Sequence, residues 1–319
     1  MNQARDIPNI VRLFLGAALL LLMALPIHAQ DRAKSKQAPS ATAEQRTARA
    51  LEAAKSNPLD LHAFLVRMPK GGDLHNHLSG SIYAETFIRD GAEDLLCVDL
   101  ASFAFVRPFG AIKNNSEQPE CGKNQEPAAN AFRDQHLYEA LVNAFSMRTF
   151  VPFAGTSGHD HFFDTFAKFG GLDDRVHMGE WLDEVATRAA NQNEQYLELM
   201  VTGDFGHTAQ IAHQLGWNED LGKFRDDLLA RGVRDDIGVY GSLLDASEKS
   251  RREREHCGQP GETAACQVEL RFIYQVLRGF SKEQVFAQTV LGFEVASADP
   301  RVVGINFVMP EDGYTSMQD

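Results

Sequence analysis

Long apolar runs and basic residues are both scarce in this chain of 319 residues, once its N-terminal region is set aside. The lack of apolar runs excludes an internal membrane span, which needs about 20 predominantly apolar residues. The 31 Lys and Arg are outnumbered by 44 Asp and Glu, so the net charge is −13. A chain this acidic is a poor candidate for binding the phosphate backbone of a nucleic acid. No repeat with a period of about 20 to 50 residues is visible, which argues against a solenoid.

The N-terminal region holds the one long apolar run and has the pattern of a secretory signal peptide. Two arginines flank the start of the region, the apolar stretch Leu13–Leu25 is too short to span a bilayer, and the small residue Ala29 follows it. We therefore predict a signal peptide over residues 1–29, a secreted or periplasmic protein, and no membrane span after cleavage. An uncleaved membrane anchor is the alternative. Residues 30–56 are predicted to form a polar lead-in and a helix.

Cysteine is also scarce, with four residues and no Cys-x-x-Cys pair. An exported protein meets an oxidising compartment, where an even number of cysteines indicates disulfides. Among the alternative pairings of four cysteines, we favour Cys97–Cys121 and Cys257–Cys266, because each pair closes a short segment rich in polar and turn residues. Four unpaired thiols are the alternative. The first disulfide would pin residues 97–127, which we interpret as an insertion and not as a separate domain.

Helical and strand-like patterns alternate through residues 57–319, which predicts an α/β fold with a parallel sheet. Asn57-Pro58 predicts the start of a helix, and Ser281 with Gln284 predicts a capping box at the start of another. Apolar residues at helical spacing predict buried stripes, namely Leu61, Phe64 and Leu65; Leu137, Leu141 and Phe145; Met178, Trp181, Leu182 and Val185; and Val285, Phe286 and Val290. The strand-like runs are Asp73–Leu78, Tyr196–Met200, Ile237–Leu244 and Val302–Val308.

The pair His75 and His77 is the sharpest chemical feature. Residues two apart on a strand face the same way, so both imidazoles can meet one metal ion, and neutral imidazole is a good Zn²⁺ ligand. Two histidines on a strand can equally be unrelated surface or core residues. A rival pair, His159 and His161, precedes a phenylalanine-rich helical stripe. A junction between a loop and a helix does not force two side chains to converge, so the strand pair is favoured.

The segment Met68–Gly80, MPKGGDLHNHLSG, resembles the opening motif of the adenosine deaminase family, and in particular its exported, growth-factor-like branch with the bacterial relatives of that branch. Two further segments, Phe162–Phe169 and Val302–Gly313 (VVGINFVMPEDG), are similar to the same family. The resemblance extends over residues 57–319, and its first motif is the most specific part.

The resemblance implies a (β/α)₈ TIM barrel of the metal-dependent hydrolase type, with about the first five strand–helix units present. It implies zinc-dependent hydrolysis of adenosine and deoxyadenosine to inosine and ammonia, with the site at the C-terminal ends of the strands. His75 and His77 would be zinc ligands, completed in the family by a later His and an Asp. Ser79, Phe162, Phe166 and Met309 would contact the nucleoside.

The sequence departs from the family pattern at several positions. It has no His-Ala-Gly-Glu motif, so the general acid/base Glu is expected beyond residue 319. The last predicted strand lacks a covering helix, and we expect the chain to be incomplete and inactive on its own. Ser79 stands where many members have an Asp, and Met309 stands at a loop position where the animal enzymes carry a Gly. These two departures leave nucleoside preference open. The alternatives are a related amino-purine hydrolase and a non-catalytic secreted nucleoside-binding module.

Overall fold

The computed structural model describes residues 41–108 and 119–318. The predicted signal peptide, 1–29, lies outside the described residues, as do residues 30–40 of the predicted lead-in. The chain divides into two units, residues 1–61 and 62–319. In the first unit, helix α1 (Ala43–Ala54) starts with a capping box, in which the Thr42 hydroxyl accepts the Gln45 N–H and the Gln45 side chain accepts the Thr42 N–H.

Helices and strands alternate along the rest of the chain. The helices are α2 (Pro58–Arg67), α3 (Ala84–Glu93), α4 (Gln135–Ala144), α5 (Gly158–Phe169), α6 (Asp174–Asn191), α7 (Gly206–Leu215), α8 (Leu221–Ala230), α9 (Asp235–Arg254), α10 (Lys282–Ala298) and α11 (Tyr314–Gln318). The strands are β1 (Gly71–His77), β2 (Cys97–Asp99), β3 (Phe105–Val106), β4 (Gln125–Pro127), β5 (Glu194–Val201), β6 (Glu269–Leu277) and β7 (Val302–Val308).

Helix α2 begins where the sequence predicts. Pro58 is its first residue, and the Asn57 side chain accepts the N–H of the residue after the proline at 2.9 Å. The predicted burial of Leu61, Phe64 and Leu65 is wrong, because no residue of this helix is buried and Leu65 is 41% exposed. An apolar stripe shows that a helix has an apolar face, but not that another element covers that face.

The centre of the second unit is a curled sheet of four parallel strands in the order β1-β5-β6-β7, flanked by helices. Strands β5 and β6 pair in continuous register, from Tyr196 opposite Glu269 to Val201 opposite Tyr274. Strands β1, β5 and β7 match predicted runs, whereas β6 was not predicted. The predicted strand Ile237–Leu244 is wrong, because these residues lie inside helix α9. The expected five strand–helix units are therefore corrected to four parallel strands in the described part of the chain, a half-barrel compatible with part of a (β/α)₈ barrel.

The curvature of the sheet brings together side chains from strands that are not neighbours. Adjacent strands lie about 4.8 Å apart, so two strands separated by a third have backbones roughly 10 Å apart in a flat sheet. His77 on β1 nevertheless places Nδ1 2.6 Å from Gln275 Oε1 on β6. Asn306 on β7 likewise places Nδ2 3.4 Å from the Met200 sulfur on β5. These four side chains therefore share the concave face of the sheet.

Helix α10 packs on the opposite face. A Cβ at Gly292 would lie 2.9 Å from the Tyr274 ring and 3.0 Å from Ile305, so glycine permits the close approach of helix and sheet. The stripes predicted on and beside two other helices are buried as expected, and they comprise Leu137, Leu141 and Phe145 with Met178, Trp181, Leu182 and Val185.

The start of α10 at Ser281 is confirmed, but the capping box predicted there is wrong. The Ser281 hydroxyl donates to the Glu283 carboxylate and makes no capping bond to the backbone. In the predicted stripe, Val290 is buried, while Val285 and Phe286 are partly buried and pack against the core.

Both predicted disulfides are confirmed. The Cα–Cα distances are 5.7 Å for Cys97–Cys121 and 5.5 Å for Cys257–Cys266, within the range for such bonds. Strands β2, β3 and β4 of the predicted insertion 97–127 form a small antiparallel sheet in the order β3-β2-β4, and residues 109–118 lie outside the described residues. Two disulfides are typical of an oxidising, extracellular setting. Over residues 41–108 and 119–318, no helix has the length and apolar character needed to cross a membrane.

Lys70 anchors the base of β1. Its ammonium donates to three carbonyls at the end of α2, at 3.3–3.5 Å, and to the Gln192 carbonyl before β5, at 2.7 Å. Carbonyls at a helix C-terminus lack intrahelical donors, and a lysine can satisfy them. The two glycines that follow meet different needs. Gly71 has a φ of +77°, which favours glycine, and a Cβ at Gly72 would lie 2.8 Å from the Tyr196 carbonyl oxygen.

Replacing Lys70 with methionine is expected to lower the free energy of unfolding by about 1.5 kcal/mol, because four carbonyls lose a charged donor. Urea unfolding measures the change. Lys223→Met is the control, since that ammonium pairs with Asp227 on an exposed helix surface and its loss is expected to cost less than about 0.5 kcal/mol. Equal losses for both variants would contradict an anchoring role for Lys70.

Candidate functional site

The two histidines of the opening motif lie together at the C-terminal end of β1. Their ring centroids are 5.1 Å apart, with His77 half-buried and His75 exposed. An amide oxygen can only accept, so the 2.6 Å contact with Gln275 Oε1 places the proton of His77 on Nδ1. The Gln275 amide nitrogen donates in turn to the Thr202 hydroxyl at 2.9 Å. This chain of contacts leaves His77 Nε2 with a free lone pair, the state in which an imidazole binds a metal ion.

Two amide side chains and a thioether lie beside His77 on the concave face of the sheet. Gln275 and Met200 are buried, and Asn306 is partly buried beside them. These amide and thioether groups can hydrogen-bond or pack against a small heterocycle. The sequence patterns did not single them out. The available signal was a Gln inside the apolar run of β6 and an Asn inside that of β7.

Two phenylalanines of helix α5 lie near His77. A Cβ at Gly80 would lie 3.5 Å from both the His77 Cβ and the Phe166 ring, so Phe166 closely approaches the end of β1. Phe162 meets Phe166 edge to face, with ring centroids 5.3 Å apart, and is itself 42% exposed. Ser79 lies in the short 3₁₀ helix Leu78–Gly80, directly after the histidine strand. The structure thus brings Ser79, Phe162 and Phe166 near the histidine pair.

The loop after β7 carries Met309. Its φ of +113° lies in a region that favours glycine, and its sulfur accepts the Gly279 N–H at 3.3 Å. The side chain therefore lies against the loop that follows β6. Further along the same loop, Asp312 lies 3.5 Å from His159 Nε2 at the start of α5.

The rival histidine pair does not converge. His161 Nε2 contacts the Ser146 carbonyl at 3.0 Å and its ring stacks on Phe150, whereas His159 contacts Asp312 and Phe163. The two side chains have different partners, so the structure does not place them as ligands of one ion.

Zinc is the metal that the histidine pair would suit, because imidazole nitrogen is among its usual ligands. Two groups of three potential metal ligands occur in the described ranges, and neither includes His75 or His77. One group contains Cys257 and Cys266, whose sulfurs form a disulfide and are not thiolate ligands. The donor chemistry of the histidine pair therefore fits zinc, while the two imidazoles supply only part of a usual set of three or four ligands.

No protein-family model and no curated protein matches this chain.

Proposed function

We propose that this chain contributes the metal-binding strand of a zinc-dependent hydrolase that deaminates adenosine and deoxyadenosine to inosine and ammonia. The observation that carries the proposal is the placement of His75 and His77 at the C-terminal end of a parallel strand, with His77 held by Gln275 in the metal-binding tautomer. Sites on barrels of parallel strands form at that end. The Met68–Gly80 motif, which resembles that of adenosine deaminases, agrees with this placement.

Each group on the concave face has a distinct role in the proposal. Zinc, when bound, lowers the pKa of a water molecule and makes it a nucleophile at neutral pH. His75 and His77 hold the ion through ring nitrogens, and Gln275 keeps the second ring oriented. Phe166 offers an aromatic edge on which a purine can pack. Asn306 presents an amide that can hydrogen-bond the base.

In the proposal, the Glu of a His-Ala-Gly-Glu motif transfers the proton to the purine ring. This sequence does not contain that motif. General acid–base catalysis is typically worth about 10²–10⁴-fold. The chain on its own is therefore proposed to bind zinc weakly and not to deaminate adenosine at an enzymatic rate. Nucleoside binding without turnover is the second candidate function. It is favoured because the concave face of the sheet carries aromatic and amide groups that suit a nucleoside, but only two imidazoles for a metal ion.

The test measures zinc affinity by competition with a chromophoric chelator and turnover by the loss of adenosine absorbance. His75→Ala and His77→Ala are expected to weaken zinc binding, whereas the exposed His213→Ala is expected to leave it unchanged. Adenosine, deoxyadenosine and adenine are compared, since any measurable turnover that favours adenine would indicate a different amino-purine hydrolase. The proposal is overturned if neither histidine variant changes the number of zinc ions bound per chain or the affinity for any of them. Rapid turnover by this chain would refute the assignment of the acid/base group.

Gln275→Leu is expected to weaken zinc binding about 10–100-fold, because groups that orient a metal-binding histidine have effects of that size. Gln275→Glu is the matched variant, since its carboxylate still accepts the His77 N–H, and it is expected to retain binding. Both are measured against wild type by chelator competition, with thermal unfolding as a check of the fold. Equal affinities for the Leu and Glu variants would show that Gln275 does not position His77.

A further inference from the structure

A buried polar cluster lies between α3 and α6, apart from the histidine pair of β1. The Asp90 side chain is fully buried, and its Oδ2 accepts the Trp181 Nε1–H at 2.7 Å. Its other oxygen, Oδ1, has no hydrogen-bond partner in the described part of the chain. His177 Nδ1 lies 3.7 Å from this oxygen, which is too far for a hydrogen bond. A buried carboxylate oxygen without a partner is costly, because it has lost its hydration.

The other nitrogen of His177 fixes which atom faces Asp90. His177 Nε2 lies 2.9 Å from Asp94 Oδ1, and Asp94 Oδ2 accepts the Asp173 N–H at 3.0 Å. Because a carboxylate only accepts, His177 carries a proton on Nε2, and Nδ1 is the ring nitrogen that faces the carboxylate of Asp90. A histidine with one nitrogen on a carboxylate and the other directed at an open position is the arrangement found at metal centres. Either a proton or a metal ion shared by Nδ1 and Oδ1 would satisfy both atoms. Their separation of 3.7 Å is too long for a hydrogen bond and matches two ligands of one metal ion.

We propose that Asp90, His177 and Glu180 form a divalent-cation site, distinct from the one assigned to His75 and His77. His177 and Glu180 are three residues apart on α6 and so share one helix face. The ligand atoms of the three side chains lie within 4.8 Å of one another. Two ligands at about 2.2 Å from one ion can be at most about 4.4 Å apart, so the 3.7 Å contact already fits and Glu180 needs only a small shift. One nitrogen and two carboxylate oxygens, with water in the fourth position, suit Zn²⁺.

The guanidinium of Arg89 lies between solvent and the proposed ligands. Its guanidinium contacts Glu180 and lies 3.7 Å from Asp90 Oδ1, but its side chain is 44% exposed. Arg89 and Glu180 both line a surface groove of about 430 Å³, so one ligand of the proposed site, Glu180, borders solvent. Arg254 pairs with the second Glu180 oxygen at 3.1 Å. When the Arg89 side chain turns into solvent, the carboxylates of Asp90, Asp94 and Glu180 remain with a single guanidinium, that of Arg254. A divalent cation would balance the excess negative charge.

The experiment uses the whole chain carrying His75→Ala and His77→Ala, so that the strand site is removed. This protein, stripped of metal, is titrated with zinc in competition with a chelator, and its thermal unfolding is followed with and without zinc. We expect one zinc per chain and a rise in Tm, since an ion bound only by the folded state stabilises it. Adding Glu180→Gln is expected to weaken zinc binding at least about tenfold. Asp183→Asn is the matched control, because it removes a carboxylate from the same helix and groove and is expected to leave affinity within twofold.

Arg89→Gln separates an ion site from a structural cluster. Removal of the competing guanidinium is expected to tighten zinc binding several-fold, whereas a purely structural role for Arg89 would lower Tm and leave zinc affinity unchanged. Both Glu180 and Arg89 reach the surface groove, so these variants are suited to keeping the fold. The proposal is overturned if the protein without His75 and His77 binds no zinc, or if Glu180→Gln and Asp183→Asn bind it equally.

Discussion

Replacing Arg251 with methionine is expected to lower the free energy of unfolding by about 3–5 kcal/mol at pH 7, because it leaves a buried carboxylate without its partner. Arg251 and Glu255 are one helical turn apart in α9, with side chains 5% and 0% exposed, and the guanidinium contacts both carboxylate oxygens at 3.0–3.1 Å. Denaturant unfolding of the variant measures the loss. The double variant Arg251→Met, Glu255→Leu removes the charge as well and is expected to recover most of the stability.

The loss is expected to depend on pH in a defined direction. Burial raises the pKa of Glu255 above its ordinary value of 4.5, while Arg251 lowers it. The folded state therefore binds the proton more tightly than the unfolded chain, and stability falls as pH rises from the ordinary value through the folded value. Without Arg251 the pKa of Glu255 rises further, so the difference from wild type is expected to shrink on acidification toward pH 4.5. A difference that is constant with pH would contradict this account. Lys249→Met, which breaks an exposed pair with Glu253 on the same helix, is expected to change stability by less than about 0.5 kcal/mol at any pH.

Removing the disulfide Cys97–Cys121 by a double change to alanine is expected to cost about 3.4 kcal/mol in free energy of unfolding, because its 24-residue separation constrains the unfolded chain strongly. The matched removal of Cys257–Cys266, with a separation of 9, is expected to cost about 2.6 kcal/mol. Denaturant unfolding of the two double variants and the wild type gives both values. A larger loss for the shorter loop would mean that contacts in the folded state, and not chain entropy, dominate.

The sequence predicted the parts of the fold in which one local signal acts alone. Strands β1, β5 and β7, the starts of α2 and α10 and both disulfides follow from short patterns. Ile237–Leu244 failed because a short apolar run fits a strand and a buried helix equally well. The deciding signal lay outside the run, in the acidic residues that open α9 and the arginines that close it, which suit a helix dipole.

The candidate site was predictable only where its residues are neighbours in sequence. His75 and His77 share a strand face by periodicity, and Phe162 with Phe166 share a helix face. Gln275 contacts His77 from a position 198 residues away, and that contact depends on the curvature of the sheet. No local pattern encodes that curvature. The cluster of Asp90 and His177 is likewise formed by two packed helices, α3 and α6. Because these helices are far apart in the sequence, no local pattern predicts the cluster.

The outer strands of the curled sheet have a consequence for self-association. Within the described chain, β7 pairs only with β6, and its Val303 and Phe307 are 47% and 44% exposed. A two-fold axis perpendicular to β7 that joined β7 to β7 of a second copy would reverse the strand direction, so the two strands would pair antiparallel. A strand that extends the barrel must instead run parallel to β7. The spacing of the hydrogen bonds to β7 differs between the two cases. The direction of the strand that pairs with β7 therefore distinguishes a symmetric dimer from an extended barrel.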